Sequence, residues 1–326
     1  MAWKITLSNG IHLPQVALHC DARKRVDLSF ISHAHFDHIG SHRHVVCTEG
    51  TSRLLRGRLK GEREETVLAF EQAHTLANGA AEVKLFAAGH VLGSAQLWVR
   101  HEEESLLYTG DFKLRPGLTA ERCATPRADV LIMETTFGLR RYVMPPTEEV
   151  AASMVAFCRA ALSEGVTPVL WAYSLGKSQE VLALLAEAEL PVMMHAASVA
   201  MTRVYESLGM TFPAYREFDA ANVAGHVVIG PPQGAWLEGV AKRRTAMVSG
   251  WALDSGAIYR YGCDAAFALS DHADFPDLLK FVEAVQPKRV YTVHGFAREF
   301  AATLRARGVE AWALGMENQL ELGLGI

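Results

Sequence analysis

Short apolar runs recur along this chain, and a residue able to bind a metal or carry a proton stands just past the end of each. Leu28 to Ile31 precedes His33, Val83 to Ala87 precedes His90, and Ser105 to Thr109 precedes Asp111. Val130 to Met133 precedes Glu134, Ala266 to Leu269 precedes His272, and Arg289 to Val293 precedes His294. Runs of this length read as buried strands. Strand ends meeting on one rim of a sheet would gather these side chains into a single cleft, since sites are commonly built on loops held by a rigid scaffold. Near the N-terminus, Trp3 to Ser8 and Ile11 to Leu18 flank Asn9-Gly10, which predicts an antiparallel hairpin.

From about Gly138 to Gly250 the pattern changes to alternating helix and strand, the signature of a separate α/β unit. Pro145-Pro146 marks its start. Thr147 is expected to cap a helix with Glu148 and Glu149 in its first turn and an apolar stripe of Val150, Met154, Phe157 and Ala161. Strands are expected at Val169 to Ala172, Val192 to Met194, Val227 to Ile229 and Ala246 to Val248. The metal-type residues lie before and after this segment, so it reads as an insert. The expected organisation is a first part over residues 1–138, an insert over 139–249 and a returning part over 250–326.

With 326 residues, 50% hydrophobic and 21% charged, the composition is that of an ordinary globular chain. Cys20, Cys47, Cys123, Cys158 and Cys263 form no Cys-x-x-Cys pair, which argues against a disulfide framework or a thiolate zinc site. No apolar stretch approaches the length that spans a bilayer, and Met1 to Asn9 lacks a leader pattern, so a cytoplasmic protein with no membrane association is expected. A net charge of -4 argues against broad adhesion to polyanions and leaves room for a local basic groove.

The chemistry centres on His33-Ala34-His35-Phe36-Asp37-His38, four strong ligand types in six residues. Extended geometry would point His33 and His35 to one side, with Asp37 and His38 reaching back from the loop. His90 sits among glycines in Ala88 to Gly93, and Asp111 follows Gly110 with two oxygens able to bridge two cations. Six of the 14 histidines and two aspartates fall at strand ends, a nitrogen-rich set that favours zinc over magnesium or calcium and is compatible with manganese or iron. Two divalent cations and two aspartates leave net positive charge, which suits an anionic phosphodiester. Glu134 follows a strand, and His272, if held by a carboxylate, is a candidate to protonate a departing oxygen. His12, His19, His42, His44, His74, His101, His195 and His226 read as ordinary core or surface residues.

Among basic residues, Arg140, Arg141, Lys177, Lys242, Arg243, Arg244 and Arg260 are candidates to track a polymer backbone. Lys177 leads, because a helix starting after Gly176 would offer amides to phosphate. Arg53, Arg56, Arg58, Lys60 and Arg63 are interrupted by Glu62, Glu64 and Glu65 and read as a surface helix.

The His-x-His-x-Asp-His run, with Asp21 before it and His90 and Asp111 after it, resembles the signature of the metallo-β-lactamase fold. Glu134-Thr135-Thr136-Phe137-Gly138, Ala172 to Glu180, Ser249-Gly250-Trp251, Ser270 to Asp274 and Val293-His294-Gly295 resemble the later motifs of its β-CASP nuclease branch. The resemblance implies a four-layer αβ/βα sandwich carrying an inserted β-CASP α/β domain. It implies one zinc on His33, His35, His90 and Asp111, and a second on Asp37, His38, Asp111 and His294. Asp37, Glu134 and His272 would serve the reaction, with Glu134 orienting His272 as general acid and Asp21 bracing the ligand loop. The compact insert resembles the short bacterial group of DNA ligase-associated exonucleases, whereas a histidine at 294 resembles RNA-processing members. The expectation is therefore a dizinc nuclease, a DNA exonuclease of repair, with an RNA-processing nuclease as the alternative and a small-molecule hydrolase of the same fold third. Nucleic acid is the expected partner, and association with a ligase or helicase is implied by the resemblance alone.

Overall fold

The computed structural model describes residues 3–76, 79, 81–232 and 234–315. The first sheet holds β1 (Thr6–Leu7), β2 (Ile11–Leu13), β3 (Leu18–Cys20), β4 (Leu28–Phe30), β5 (His44–Cys47) and β6 (Glu64–Val67), side by side in chain order. The second takes β7 (His74–Thr75), β8 (Glu82–Ala87), β9 (Ala95–His101), β10 (Glu104–Tyr108) and β11 (Val130–Glu134). The third comprises β12 (Thr167–Trp171), β13 (Val192–Met194), β14 (Tyr215–Glu217), β15 (Val227–Gly230), β16 (Arg243–Val248) and β17 (Ala265–Phe267). The chain then returns to the second sheet, placing β18 (Arg289–Val293) parallel to β11 and β19 (Ala311–Ala313) outside it.

The first two sheets face each other through one apolar layer. Leu13, Leu18 and Phe30 of the first meet Val83, Leu97, Val99, Leu106 and Ile132 of the second. Alternation along each strand sends the next residues outward, so each sheet needs a helical cover. Met133, Leu107 and Val290 pack under α6 (Phe275–Val285) and α7 (Ala297–Arg305). On the other side Ile31 and Val45 pack under α1 (Glu49–Arg56) and α4 (Ala196–Ser207). The result is the expected αβ/βα sandwich.

The third sheet is parallel throughout, and its central strands β12, β13 and β15 are buried on both faces, which is why they read as unbroken apolar runs. One side carries α2 (Thr147–Ser163) and α3 (Lys177–Leu184). A five-residue helix, α5 (Ala257–Tyr261), precedes β17.

Several expectations shift. The third sheet includes β17, so its layer reaches Phe267 instead of ending at residue 249. Thr147 is the first helical residue of α2, not its cap; Pro146 precedes the helix without a side-chain hydrogen bond. Cys158, and not the half-buried Phe157, completes the buried stripe of α2. The hairpin forms with Leu7 opposite Ile11, leaving three loop residues instead of two. Gly10 takes a left-handed φ of 71° there, and a Cβ would run into the Cys20 carbonyl. Among the described residues no helix is long and apolar enough to cross a membrane.

Candidate metal centre and active site

β4 ends at Phe30, so His33 and His35 occupy an irregular loop and not one face of a strand. Asp21 shapes that loop. Its carboxylate accepts the Ser32 amide at 2.8 Å, the Ser32 hydroxyl at 2.6 Å and the Tyr108 hydroxyl at 2.8 Å, and meets His38 Nδ1 at 2.9 Å. Asp21 itself adopts a left-handed φ of 51°. Such a conformation costs energy in a non-glycine residue and persists where surrounding bonds over-determine it.

Four donor atoms converge beyond the loop. His33 Nε2 lies 3.0 Å from His35 Nδ1, which lies 3.1 Å from His90 Nε2, and Asp111 Oδ2 stands 3.6 Å from His33 and 3.9 Å from His90. A tetrahedron with metal bonds of about 2.0–2.1 Å has edges of about 3.3–3.4 Å, inside this spread.

Outer contacts decide which ring nitrogens face inward. His35 Nε2 donates to the Leu175 carbonyl at 3.2 Å, and His90 Nδ1 donates to the Asp271 carbonyl at 2.7 Å. Carbonyls only accept, so the protons are fixed outside and lone pairs are left pointing inward. His33 Nδ1 meets Ser32 Oγ at 3.0 Å, whose own proton goes to Asp21, so Nε2 of His33 is unprotonated as well. Three lone pairs and a carboxylate oxygen aimed at one point repel one another unless a cation sits among them. The residues fit zinc.

The charges agree. Burial, reinforced by the neighbouring imidazoles, pushes His33 well below its ordinary pKa; burial and His90 bring His35 to about 4; burial and His272 lower His90. All three are neutral, ligand-competent rings at pH 7.

A second group adjoins the first through Asp111. His38 Nε2 is 3.2 Å from Asp111 Oδ2 and 3.7 Å from Asp37 Oδ2, and the His294 ring lies 6.0 Å from that of His38, centroid to centroid. Burial alone would lower His38, but Asp111 and Asp21 outweigh it and raise its pKa well above the ordinary value. This group is more open than the first, with the Asp37 side chain 63% exposed. His294 turns toward it on a left-handed φ of 59°.

His272 borders the closed set, its ring centroid 4.7 Å from that of His90. Its Nδ1 is 2.7 Å from Glu134 Oε1. Glu134, buried at the end of β11, also accepts the Phe112 and Thr136 amides at 3.2 and 3.0 Å. Burial alone would lower His272, yet Glu134 and then Asp111 raise it to about 10. His272 therefore keeps a proton at Nε2 while lining the same cleft as His35, Asp37, His38, Asp111 and His294, a space of about 780 Å³.

The basic candidates separate. Lys177 is buried: its Nζ donates to the Leu269 carbonyl at 2.8 Å and pairs with Asp271 at 3.4 Å. Burial alone would raise Asp271, but Lys177, ahead of the nearby imidazoles, holds its carboxyl well below the carboxylate range. Lys177 thus tethers the segment that carries His272 and is not presented to a polyanion; the Gly176 amide is likewise taken, by Gln179 at 2.7 Å. Arg140 and Arg141 are exposed, but neither lines the cleft, and Arg141 lies over Tyr142, 4.8 Å from its ring. Arg58 moves the other way. The helix ends at Arg56, and Arg58 enters the cleft wall. Sequence reasoning also passed over Ser32 and Tyr108, which hold Asp21, and over the buried Lys113–Glu180 pair at 2.6 Å that joins the second sheet's rim to α3. No local signal distinguishes them, because each acts through a partner distant along the chain.

Residues 265–314 match the family described as "Zn-dependent metallo-hydrolase RNA specificity domain". A protein of Opitutus terrae named "Probable DNA ligase" is 55% identical over 99% of this chain, which covers 32% of that protein. An "RNase J-like protein" of Methanocaldococcus jannaschii is 26% identical over 50% of the chain and 44% of its own length. The human "DNA cross-link repair 1A protein" is 29% identical over 48% of the chain and 16% of its own length. The chain thus spans less than half the length of these relatives.

Proposed function

We propose that this chain, which belongs to the β-CASP family of metallo-β-lactamase-fold proteins, is a zinc-dependent phosphodiesterase that degrades nucleic acid, acting on DNA from a strand end. The observation that carries the reading is the junction of two devices. A closed set of His33, His35, His90 and Asp111 stands beside a histidine whose Nδ1 is 2.7 Å from a buried glutamate oxygen.

Two zinc ions are proposed, one on the closed set and one on Asp37, His38, Asp111 and His294, with Asp111 common to both. Zinc, when bound, supplies Lewis-acid polarisation of a phosphoryl oxygen and makes water a stronger nucleophile near neutral pH. The chain's own residues do the rest. Asp21 and Ser32 hold the ligand loop, and the Leu175 and Asp271 carbonyls set the tautomers of His35 and His90. Glu134 takes the Nδ1 side of His272, so Nε2 is the atom that delivers a proton to the departing sugar oxygen. Asp37, the more exposed of the two carboxylate ligands, would orient the attacking water.

DNA is favoured by the relative named a probable DNA ligase, which matches nearly the whole of this chain, and action alongside a ligase on DNA ends belongs to the same proposal. RNA is the second reading, supported by the matched RNA specificity domain and the RNase J-like relative. Incubating the purified, zinc-loaded chain with end-labelled single-stranded DNA, duplex DNA and RNA separates the two. Ladders of mononucleotide steps from DNA are expected. Cleavage of RNA alone would replace the first reading by the second, and cleavage of neither would remove both.

A further inference from the structure

We propose that Phe36 and Arg58 form a stacking seat for the nucleobase next to the bond being cut. The inference rests on the phosphodiesterase reading above and adds to it a residue pair that positions the strand.

Phe36 stands between the ligands His35 and Asp37, yet its side chain is not part of the core: the residue is 66% exposed. The Arg58 guanidinium carbon lies 3.8 Å from the centroid of its ring. That stacking preorganises both groups and leaves most of the Phe36 surface open to the cleft that both residues line. Arg58 lines the same cleft wall and carries its charge there, while its Nε is covered and has no hydrogen-bond partner among the described residues.

An open aromatic surface and a guanidinium charge, side by side, call for a ligand that brings a flat ring and an anionic oxygen at nucleotide spacing. A single nucleic-acid strand brings both. Every base has a π-face, so the seat binds without reading sequence, and the phosphate meets the guanidinium charge. Adjacency to His35 and Asp37 places the stacked base at the nucleotide that flanks the scissile phosphodiester. Tyr173, 53% exposed and lining the same cleft from the loop after β12, offers a further open ring.

The test uses the full-length, zinc-loaded chain and single-stranded oligonucleotides carrying one abasic position. Phe36→Ala is expected to lower kcat/KM about ten-fold on intact strands, chiefly through KM, in line with the loss of one base–aromatic stack. It should cost nothing further where the base flanking the cut is already missing, and Phe36→Trp should restore the native value. Arg58→Ala should weaken binding and reduce the salt dependence by about one counterion. A second readout needs no turnover: a 2-aminopurine base in the strand should change fluorescence on binding to zinc-free native chain and not to zinc-free Phe36→Ala. An equal loss on intact and abasic strands, or loss of zinc from Phe36→Ala, would show that Phe36 only packs the ligand loop and would overturn the seat. If native chain cuts no polymer yet gives the Phe36-dependent fluorescence change, the seat stands and the phosphodiesterase reading falls.

Discussion

The imidazole of His35 donates from Nε2 to the carbonyl of Leu175, 3.2 Å away in space and 140 residues further along the chain. One of the rings proposed to hold zinc therefore takes its tautomer from the segment that follows β12, in the third sheet's layer. That layer does more than line the cleft: it fixes which nitrogen of His35 faces His33 and His90.

Gly176 tests this coupling. It holds φ at 83° next to Leu175, and a Cβ there would press into Val91, the neighbour of His90. Gly176→Ala should disturb the outer contacts of His35 and His90 together. Loss of such contacts commonly weakens metal affinity about 10–100-fold, and chelator competition on the variant should read a drop in that range with the overall fold, seen by circular dichroism, retained.

His272 and Asp111 should separate metal binding from turnover. His272→Ala is expected to keep its zinc and lose about 100- to 10,000-fold in kcat, the usual weight of a general acid. Asp111→Ala should lose both metal and activity, since Asp111 Oδ2 touches both ligand groups. Elemental analysis beside kinetics decides; equal zinc loss in the two variants would contradict the division of roles.

The pH profile should follow Glu134. Glu134, the chief force against burial, raises His272 to about 10, so the protonated ring persists through neutral pH and is lost only as pH rises through that raised value. Glu134→Gln keeps an acceptor but removes the charge, and the alkaline limb of kcat should move to lower pH. An unmoved limb would place the titrating group elsewhere.

Lys177 should behave as a tether. Removing one partner of a buried ion pair commonly costs about 3–5 kcal/mol. Lys177→Ala should accordingly lower stability to denaturant by about 3 kcal/mol, while the salt dependence of oligonucleotide binding stays native. A changed salt slope at unchanged stability would restore Lys177 as a phosphate contact.

Much of the clustering of histidines and carboxylates was legible before any coordinates, and for a local reason. Apolar runs long enough to be strands are read directly from residue type, and His33, His90, Asp111, Glu134, His272 and His294 each follow or close such a run. The third sheet's central strands were equally plain, because burial on both faces leaves unbroken apolar stretches. β14, Tyr215–Glu217, escaped because a polar strand at the sheet edge carries no such mark. β17 was read as a strand but assigned to the wrong layer, since nothing local says which neighbour a three-residue strand will pair with.

Residue chemistry and strand pattern determined by themselves that histidines and carboxylates would meet at the ends of buried strands. Only the tertiary structure decided the surroundings of each. Carbonyls at Leu175 and Asp271 choose the ring nitrogens, Glu134 charges His272, burial removes Lys177 from any polymer, and the early end of α1 brings Arg58 beneath Phe36. Those outcomes depend on distances between segments far apart along the chain. Ionisation and hydrogen bonding respond to such distances and to local exclusion of water, neither of which is written in the order of the residues.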